Sequence, residues 1–334
     1  MKSRINSIDI AKGLTIILVV LGHSLQGIVD SNSLSNNTDY PSIFFAKEII
    51  YGFHMAAFFI ISGLFSSYWV KKKFKEAITQ KLKRLAYPYF IWSFFTACFM
   101  EIGSKFTNNG LGLRNFLLSP IVPFSQYWFL YVLFFFYVVH YMMNTIFDGK
   151  ARLVMLVLSI FLFIINPIIP EVWIFYSFCK YLFYFAIGTY LLPFFKNNIT
   201  NKAFGLIPMI VLFVFSNYIY VILIKQEFML LDYYYYIVTS IAGSFLVFSI
   251  SVSIASNHIF VYLRRCIEFF GENSMQIYVT HLIPLAGVRI ICERILKIDE
   301  LWLVVLTTFV ISILLCVLFI KTTKKLNIEK IFFG

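Results

Sequence analysis

Apolar runs long enough to cross a bilayer recur along this chain, and they constrain it more than any other feature. They fall at about 11–29, 43–66, 85–103, 127–147, 152–169, 173–194, 204–224, 234–255, 275–295 and 301–320. A hydrocarbon core of about 30 Å takes roughly 20 apolar residues per helix. In lipid only helices and closed barrels satisfy their own backbone hydrogen bonds, and runs this continuous predict helices. The fifth run is short and the ninth is polar. Composition agrees: 60% of the 334 residues are hydrophobic and 13% charged, against about 45–50% and 25% in soluble domains. That excludes a water-soluble enzyme, a disordered chain and a disulfide scaffold. The expected fold is an all-α integral membrane bundle of about ten transmembrane helices. With no Gly/Ser/Pro-rich linker in sight, residues 1–334 are expected to form a single domain.

The basic residues give the chain a direction. The net charge is +12, but in a membrane protein Lys and Arg mark the cytoplasmic loops, so no nucleic acid is implied. With the N-terminus inside, the cytoplasmic segments hold Lys2, Arg4, Lys12, the seven cations from Lys71 to Arg84, Lys150, Arg152, Lys196, Lys202, Arg264, Arg265, Lys321, Lys324, Lys325 and Lys330. The outer loops hold Lys105, Arg114, Lys225 and Lys297, and the loop 30–42 holds none. Ten helices with both termini cytoplasmic give this partition, and dropping one span scatters the basic loops over both sides. The first run lacks a small-residue cleavage site and is expected to stay as an anchor. Cys98, Cys179, Cys266, Cys292 and Cys316 form no CxxC pair, and all but Cys266 read as small hydrophobes within apolar stretches.

Ionisable groups inside apolar helices are costly and default to functional hypotheses. The first run, IDIAKGLTIILVVLGHS, carries Asp9, Lys12 and His23. Eleven residues of helix turn through about 1100°, so Lys12 and His23 point within roughly 20° of one direction, about 16 Å apart along the axis, with Asp9 within about 40° of that stripe. A cation at the inner boundary below an imidazole suits a long anionic ligand entering from the cytosol. A lysine that snorkels to headgroups and a histidine bonded to a neighbouring helix fit the same spacing.

Five segments, in order, resemble the membrane acyltransferase-3 family, especially its fucose 4-O-acetylase-like branch. Lys12 and His23 match its Arg-or-Lys, ten-residue gap, His motif. FHMAAFFIISGLF at 53–65 is similar to its FHMPLFFFISGFL segment and carries His54. KLKRLAYPYFIW at 81–92 resembles its basic stretch before a proline, with Lys81 and Arg84 in the two cationic places. YWFLYVLFF at 127–135 and GENSMQIYVTH at 271–281 match two further segments. Ala56-Ala57 replaces the commoner Pro-Leu, and Lys81 stands where Arg is usual. The resemblance implies acyl transfer: an acetyl group moves from cytosolic acetyl-CoA to a hydroxyl of a cell-envelope glycan or its lipid-linked precursor. It also implies a multi-pass protein of a bacterial cytoplasmic (inner) membrane, in contact with membrane lipid. About 14 residues follow the last helix, so no appended SGNH-type domain is expected.

On that resemblance His23 is the candidate catalytic base, with a reference pKa near 6.5 suited to taking a proton from a sugar hydroxyl; a covalent acetyl-imidazole is the rival. Lys12, Lys81 and Arg84 are the candidate donor-binding cations, set against topology signalling or attraction to anionic lipid for the loop. Asp9 either orients Lys12 or marks the helix start. His54, Glu48, Glu101, Lys180, Arg289 and Glu293 are candidate catalytic or acceptor-binding groups: His54 is expected to face one pocket with His23, and the others, with Arg294, to line an outer vestibule. Arg289 and Glu293, an i,i+4 pair, read equally as a structural ion pair, and His54 equally as a satisfied core histidine. Tyr233 to Tyr236 read as an aromatic belt rather than a sugar platform. His281, with Asn273 and Ser274, is expected to serve helix packing. No metal is expected, and a homo-oligomer is compatible with the sequence. The rival class is a transporter or flippase for a lipid-linked glycan, although inverted repeats and paired broken helices are not evident.

Overall fold

A computed structural model describes residues 6–31, 37–103, 112–169, 173–196, 205–225, 229–257, 259 and 261–334. Lys2, Arg4, Lys105, Lys202 and residues 32–36 of the expected first outer loop lie outside the described residues, as do the side chains of Lys196 and Lys225. Among the described residues every regular element is helical. The longer ones are α1 (Asn6–Val29), α2 (Tyr40–Tyr51), α3 (His54–Leu64), α4 (Tyr87–Ile102), α5 (Trp128–Phe147), α6 (Ala151–Ile165) and α7 (Trp173–Lys196). They continue with α8 (Leu206–Lys225), α9 (Met229–Ser256), α10 (Val261–Glu272), α11 (Ser274–Thr280), α12 (Leu282–Ile290) and α13 (Leu301–Lys325).

Seven stretches among the described residues are long and apolar enough to cross a membrane, or eight if the bent pair at 274–295 is one span. One of them, Ser125–Ile168, has 44 residues. A straight helix of that length would measure about 66 Å, twice the hydrocarbon thickness. It divides into α5 and α6 at the turn Asp148–Lys150, where Asp148 has φ 42°. The expected run 43–66 is broken between α2 and α3 at Gly52-Phe53, and the polar run 275–295 bends by 44° between α11 and α12. By length and apolarity the described residues thus show seven or eight such stretches, one of them of double length, where the sequence predicts about ten. Large apolar side chains along α8 and α13 are exposed, Ile207, Val211 and Phe215 on one and Leu306, Leu314 and Leu318 on the other. Contiguous apolar surface of this kind is foreign to soluble monomers and suits lipid.

The chain divides into two compact units. One comprises Met1–Ile17, Ile49–Ala77 and Phe135–Ser274; the other comprises Leu18–Glu48, Ile78–Phe134 and Met275–Gly334. In the first, α3 is buried at every position but Ser62, because its sequence is apolar on all sides. Helix α7 crosses it where Gly63 meets Gly188: a Cβ on Gly188 would stand 2.1 Å from the Ile60 carbonyl oxygen, so only small residues allow the approach. Ser240 of α9 donates to the Gly52 carbonyl at 2.6 Å, satisfying backbone freed at the break before α3.

In the second unit, Ser24 of α1 donates to the Val305 carbonyl of α13 at 3.1 Å. Tyr127, at the turn before α5, shares a 2.7 Å hydrogen bond with Thr96 of α4 and donates to the Val279 carbonyl of α11 at 3.0 Å. A short terminal helix, Glu329–Phe333, returns to α4: Trp92 donates to the Phe332 carbonyl at 3.0 Å and stacks on the Phe333 ring. Buried polar groups with partners hold helices in fixed register where apolar contacts alone would let them slide.

Candidate active site

Position 23 and the residues after it set the site. His23, Gln26 and Gly27 of α1 and Asp30, the residue after its end, occur at i, i+3, i+4 and i+7 and share one helical face, the Asp30 N–H still bonding the Gln26 carbonyl at 2.9 Å. That face lines a cavity of about 110 Å³ whose other walls include Arg289 of α12, Gln126 of the turn before α5 and Thr308 of α13. All of these belong to the second unit. The volume has room for several waters or for the reacting end of a substrate.

The polar groups around the cavity are held by their neighbours. Gln26 donates its amide to Asp30 Oδ1, and Arg289 Nη1 donates to Glu293 Oε2 at 3.0 Å. Arg289 lies close against α1 because position 27 has no side chain; a Cβ there would come within 3.0 Å of Arg289 Cδ. The cavity is thus lined by an imidazole, two primary amides, a carboxylate, three hydroxyl side chains and a guanidinium anchored by its own carboxylate. Such a set can hydrogen-bond hydroxyl groups and a developing negative charge.

A second histidine stands against the first. The rings of His23 and His281 stack at 5.2 Å between centroids, 30° apart in plane. His281 is fully buried at the bend between α11 and α12. Its Nδ1 lies 2.6 Å from the Tyr278 carbonyl and 3.2 Å from that of Ile277. A carbonyl only accepts, so Nδ1 carries the proton, and Nε2 has no hydrogen-bond partner among the described residues. The Tyr278 hydroxyl in turn donates to the Gln126 carbonyl, tying this bend to the cavity wall. His281 thus backs the ring of His23 from the bend between α11 and α12.

The remaining candidates have varied surroundings. Lys12 pairs with Asp9 at 3.4 Å and lies 5.4 Å from the centre of the Phe65 ring. Lys81 ends the helix Phe74–Lys81, and Arg84 sits exposed in the π-helical turn Leu82–Ala86 that leads into α4. His54 is buried, donates Nδ1 to the Ile50 carbonyl at 2.7 Å and meets Tyr51 edge to face. Glu48 pairs with Lys47. Glu101 accepts from the Leu113 backbone N–H at 3.0 Å, at the start of a short helix. Lys180 Nζ lies 3.8 Å from the centre of the Tyr236 ring and within 6 Å of those of Tyr176, Tyr181 and Tyr233.

Of the candidates, then, His23 and Arg289 share the cavity, and Glu293 holds Arg289. Gln26, Asp30, Gln126 and Thr308 join them without having been singled out in the sequence. The first two were detectable, since they repeat the helical spacing from His23. Gln126 and Thr308 carry no such signal. Among the described residues no three His, Cys, Asp or Glu side chains are grouped so as to hold a metal ion.

Comparison with known proteins adds the family. The acyltransferase domain model of the acyltransferase-3 family matches residues 5–321. Two nodulation proteins NolL are similar over shorter stretches. That of Sinorhizobium fredii (strain NBRC 101917 / NGR234) is 31% identical over 125 residues, covering 37% of this chain and 32% of that protein. That of Mesorhizobium japonicum (strain LMG 29417 / CECT 9101 / MAFF 303099) is 34% identical over 87 residues, covering 26% and 22%. The chain thus spans a third or less of these relatives' lengths. No solved structure matches it.

Proposed function

This chain belongs to the acyltransferase-3 family, and from that premise we propose that it is an integral membrane O-acetyltransferase acting on a cell-envelope glycan or its lipid-linked precursor. The observation that carries the reading is an imidazole, His23, on a polar cavity among helices apolar enough to lie in a membrane. The donor is acetyl-CoA. Its phosphates are held from the cytosolic side by Lys12, with Lys81 and Arg84 as further cations, and its thioester is placed near His23. The protein crosses a bacterial inner membrane about ten times with both termini inside, as the partition of Lys and Arg implies.

The chemistry follows from the groups. His23, as a neutral imidazole, accepts the proton of the sugar hydroxyl as that oxygen adds to the thioester carbonyl. The C–O bond forms while the carbonyl electron pair moves onto oxygen. Its return breaks the C–S bond, and the imidazolium passes its proton to the departing thiolate. His281 holds the ring: stacked on His23 and fixed by its own Nδ1 bond, it limits the orientations His23 can take.

Mass spectrometry of the envelope glycan from strains with and without the protein tests the function. The expected result is a glycan species heavier by one acetyl group only when the protein is present. Identical spectra, together with loss of surface glycan on deletion, would instead assign a transporter.

A further inference from the structure

Many buried serine and threonine hydroxyls in these helices bond back to their own backbone. Thr15 donates to the Ala11 carbonyl at 2.7 Å, Ser244 to that of Ser240 at 2.7 Å, Thr280 to that of Gln276 at 2.9 Å and Thr323 to that of Ile320 at 3.0 Å. This is the ordinary solution for a hydroxyl on a helix away from water. Thr308 departs from it, as does Ser312 on the same helix. The Thr308 side chain is buried and its Oγ1 has no hydrogen-bond partner among the described residues, yet it lines the same cavity as His23. A buried hydroxyl without a partner costs more than a bonded one, so its placement on a cavity wall calls for a ligand that completes it. The Ser24–Val305 bond brings the helical turn after His23 against the turn of α13 before Thr308. His23 and Thr308 thus line one space.

We propose that Thr308 is a further catalytic residue, whose Oγ1–H donates to the carbonyl oxygen of the acyl group as that oxygen becomes negative. This rests on the acetyltransferase reading above. During addition the sugar proton goes to His23, the new C–O bond forms, and the carbonyl pair settles on an oxygen held by Thr308. Thr308 keeps its proton throughout, and the pair returns as the C–S bond breaks. A donor aimed at the charge that develops favours the transition state over the bound substrate.

The test compares Thr308→Val, Thr308→Ser and Ser312→Val. Ser312, one turn further on the same helix, is also buried and without a partner, but it does not line the cavity. Inside-out membrane vesicles containing each variant are given radiolabelled acetyl-CoA, and label in the vesicles' own glycan is followed. Thr308→Val is expected to lower kcat by about 10²–10³-fold, the loss seen when one such donor is removed, with KM for acetyl-CoA within about twofold. Thr308→Ser should restore kcat to within about tenfold, and Ser312→Val should match wild type. Because Val replaces an unbonded hydroxyl at nearly equal volume, the melting temperature of Thr308→Val should not fall. Wild-type kcat in Thr308→Val would overturn the role of Thr308 while leaving the function intact. So would an equal loss in Ser312→Val, or a loss that Ser does not rescue. A wild-type protein that transfers no label would overturn both.

Discussion

Each unit carries a histidine and a cation on apolar helices, and the two pairs are treated differently. In the first unit, His54 spends its Nδ1 on the Ile50 carbonyl, and Lys180 is surrounded by four tyrosine rings, nearest that of Tyr236. In the second, His23 and Arg289 stand on a cavity with amides, a carboxylate and a buried hydroxyl. The residue types are alike, and the apolar surroundings are alike. What the second unit shows is a cavity beside the group, walled by its polar neighbours. An ionisable residue in a membrane helix is thus a question, and space next to it gives the answer.

The comparison breaks most readily at His23. Replacing it by alanine should lower acetylation of the glycan by about 10²–10⁴-fold, the range of a lost general base, while the protein still inserts and accumulates. An alanine variant with normal acetylation would put the two histidines on an equal footing. Lys12→Ala sharpens the division between binding and chemistry. Loss of one charge-assisted contact, about 1.5–3 kcal/mol, should raise KM for acetyl-CoA by about 10- to 100-fold. Direct binding of a CoA analogue to the purified protein should weaken likewise, and unchanged affinity would make Lys12 only an interfacial anchor.

Smaller effects are expected in the first unit. His54→Phe leaves the Ile50 carbonyl without its side-chain donor and should cost about 1–2 kcal/mol of stability, seen as a lower melting temperature in detergent. Turnover of the surviving protein should stay near wild type, and abolished turnover at unchanged stability would move His54 to the catalytic side. Lys180→Met keeps much of the volume but removes a cation–π contact worth about 0.5–2 kcal/mol. A small drop in melting temperature with normal acetylation is expected. A large rise in the acceptor's KM would instead make the tyrosine cage a sugar site.

How much of this was legible in the sequence depends on how local each cause is. The helical class and the course of α1 follow from composition and an apolar run, both local properties. The face of His23 was half visible: Gln26 and Asp30 lie at helical spacing from it, although only the cavity gives them meaning. The tyrosines at 233–236 read as a membrane belt, but Tyr233 and Tyr236 enclose Lys180 from a helix more than 50 residues away in the chain. His281 read as a packing residue for the same reason, since its stacking partner lies at the other end of the sequence. The break before α3 hid inside an apolar stretch because Ser240, which satisfies it, comes from α9. Thr308 gave no signal, because an unbonded hydroxyl can be recognised only once its neighbours are known.

The central claim is that acyl chemistry, rather than transport, takes place at His23. The most direct measurement supplies acetyl-CoA labelled in the acetyl group to inside-out vesicles, and counts both label in the glycan and coenzyme A thiol released. The account predicts one thiol for each acetyl group transferred, with both signals lost together in vesicles carrying His23→Ala. Glycan that crosses the bilayer with neither label nor thiol, or transfer that proceeds undiminished without the imidazole, would contradict it.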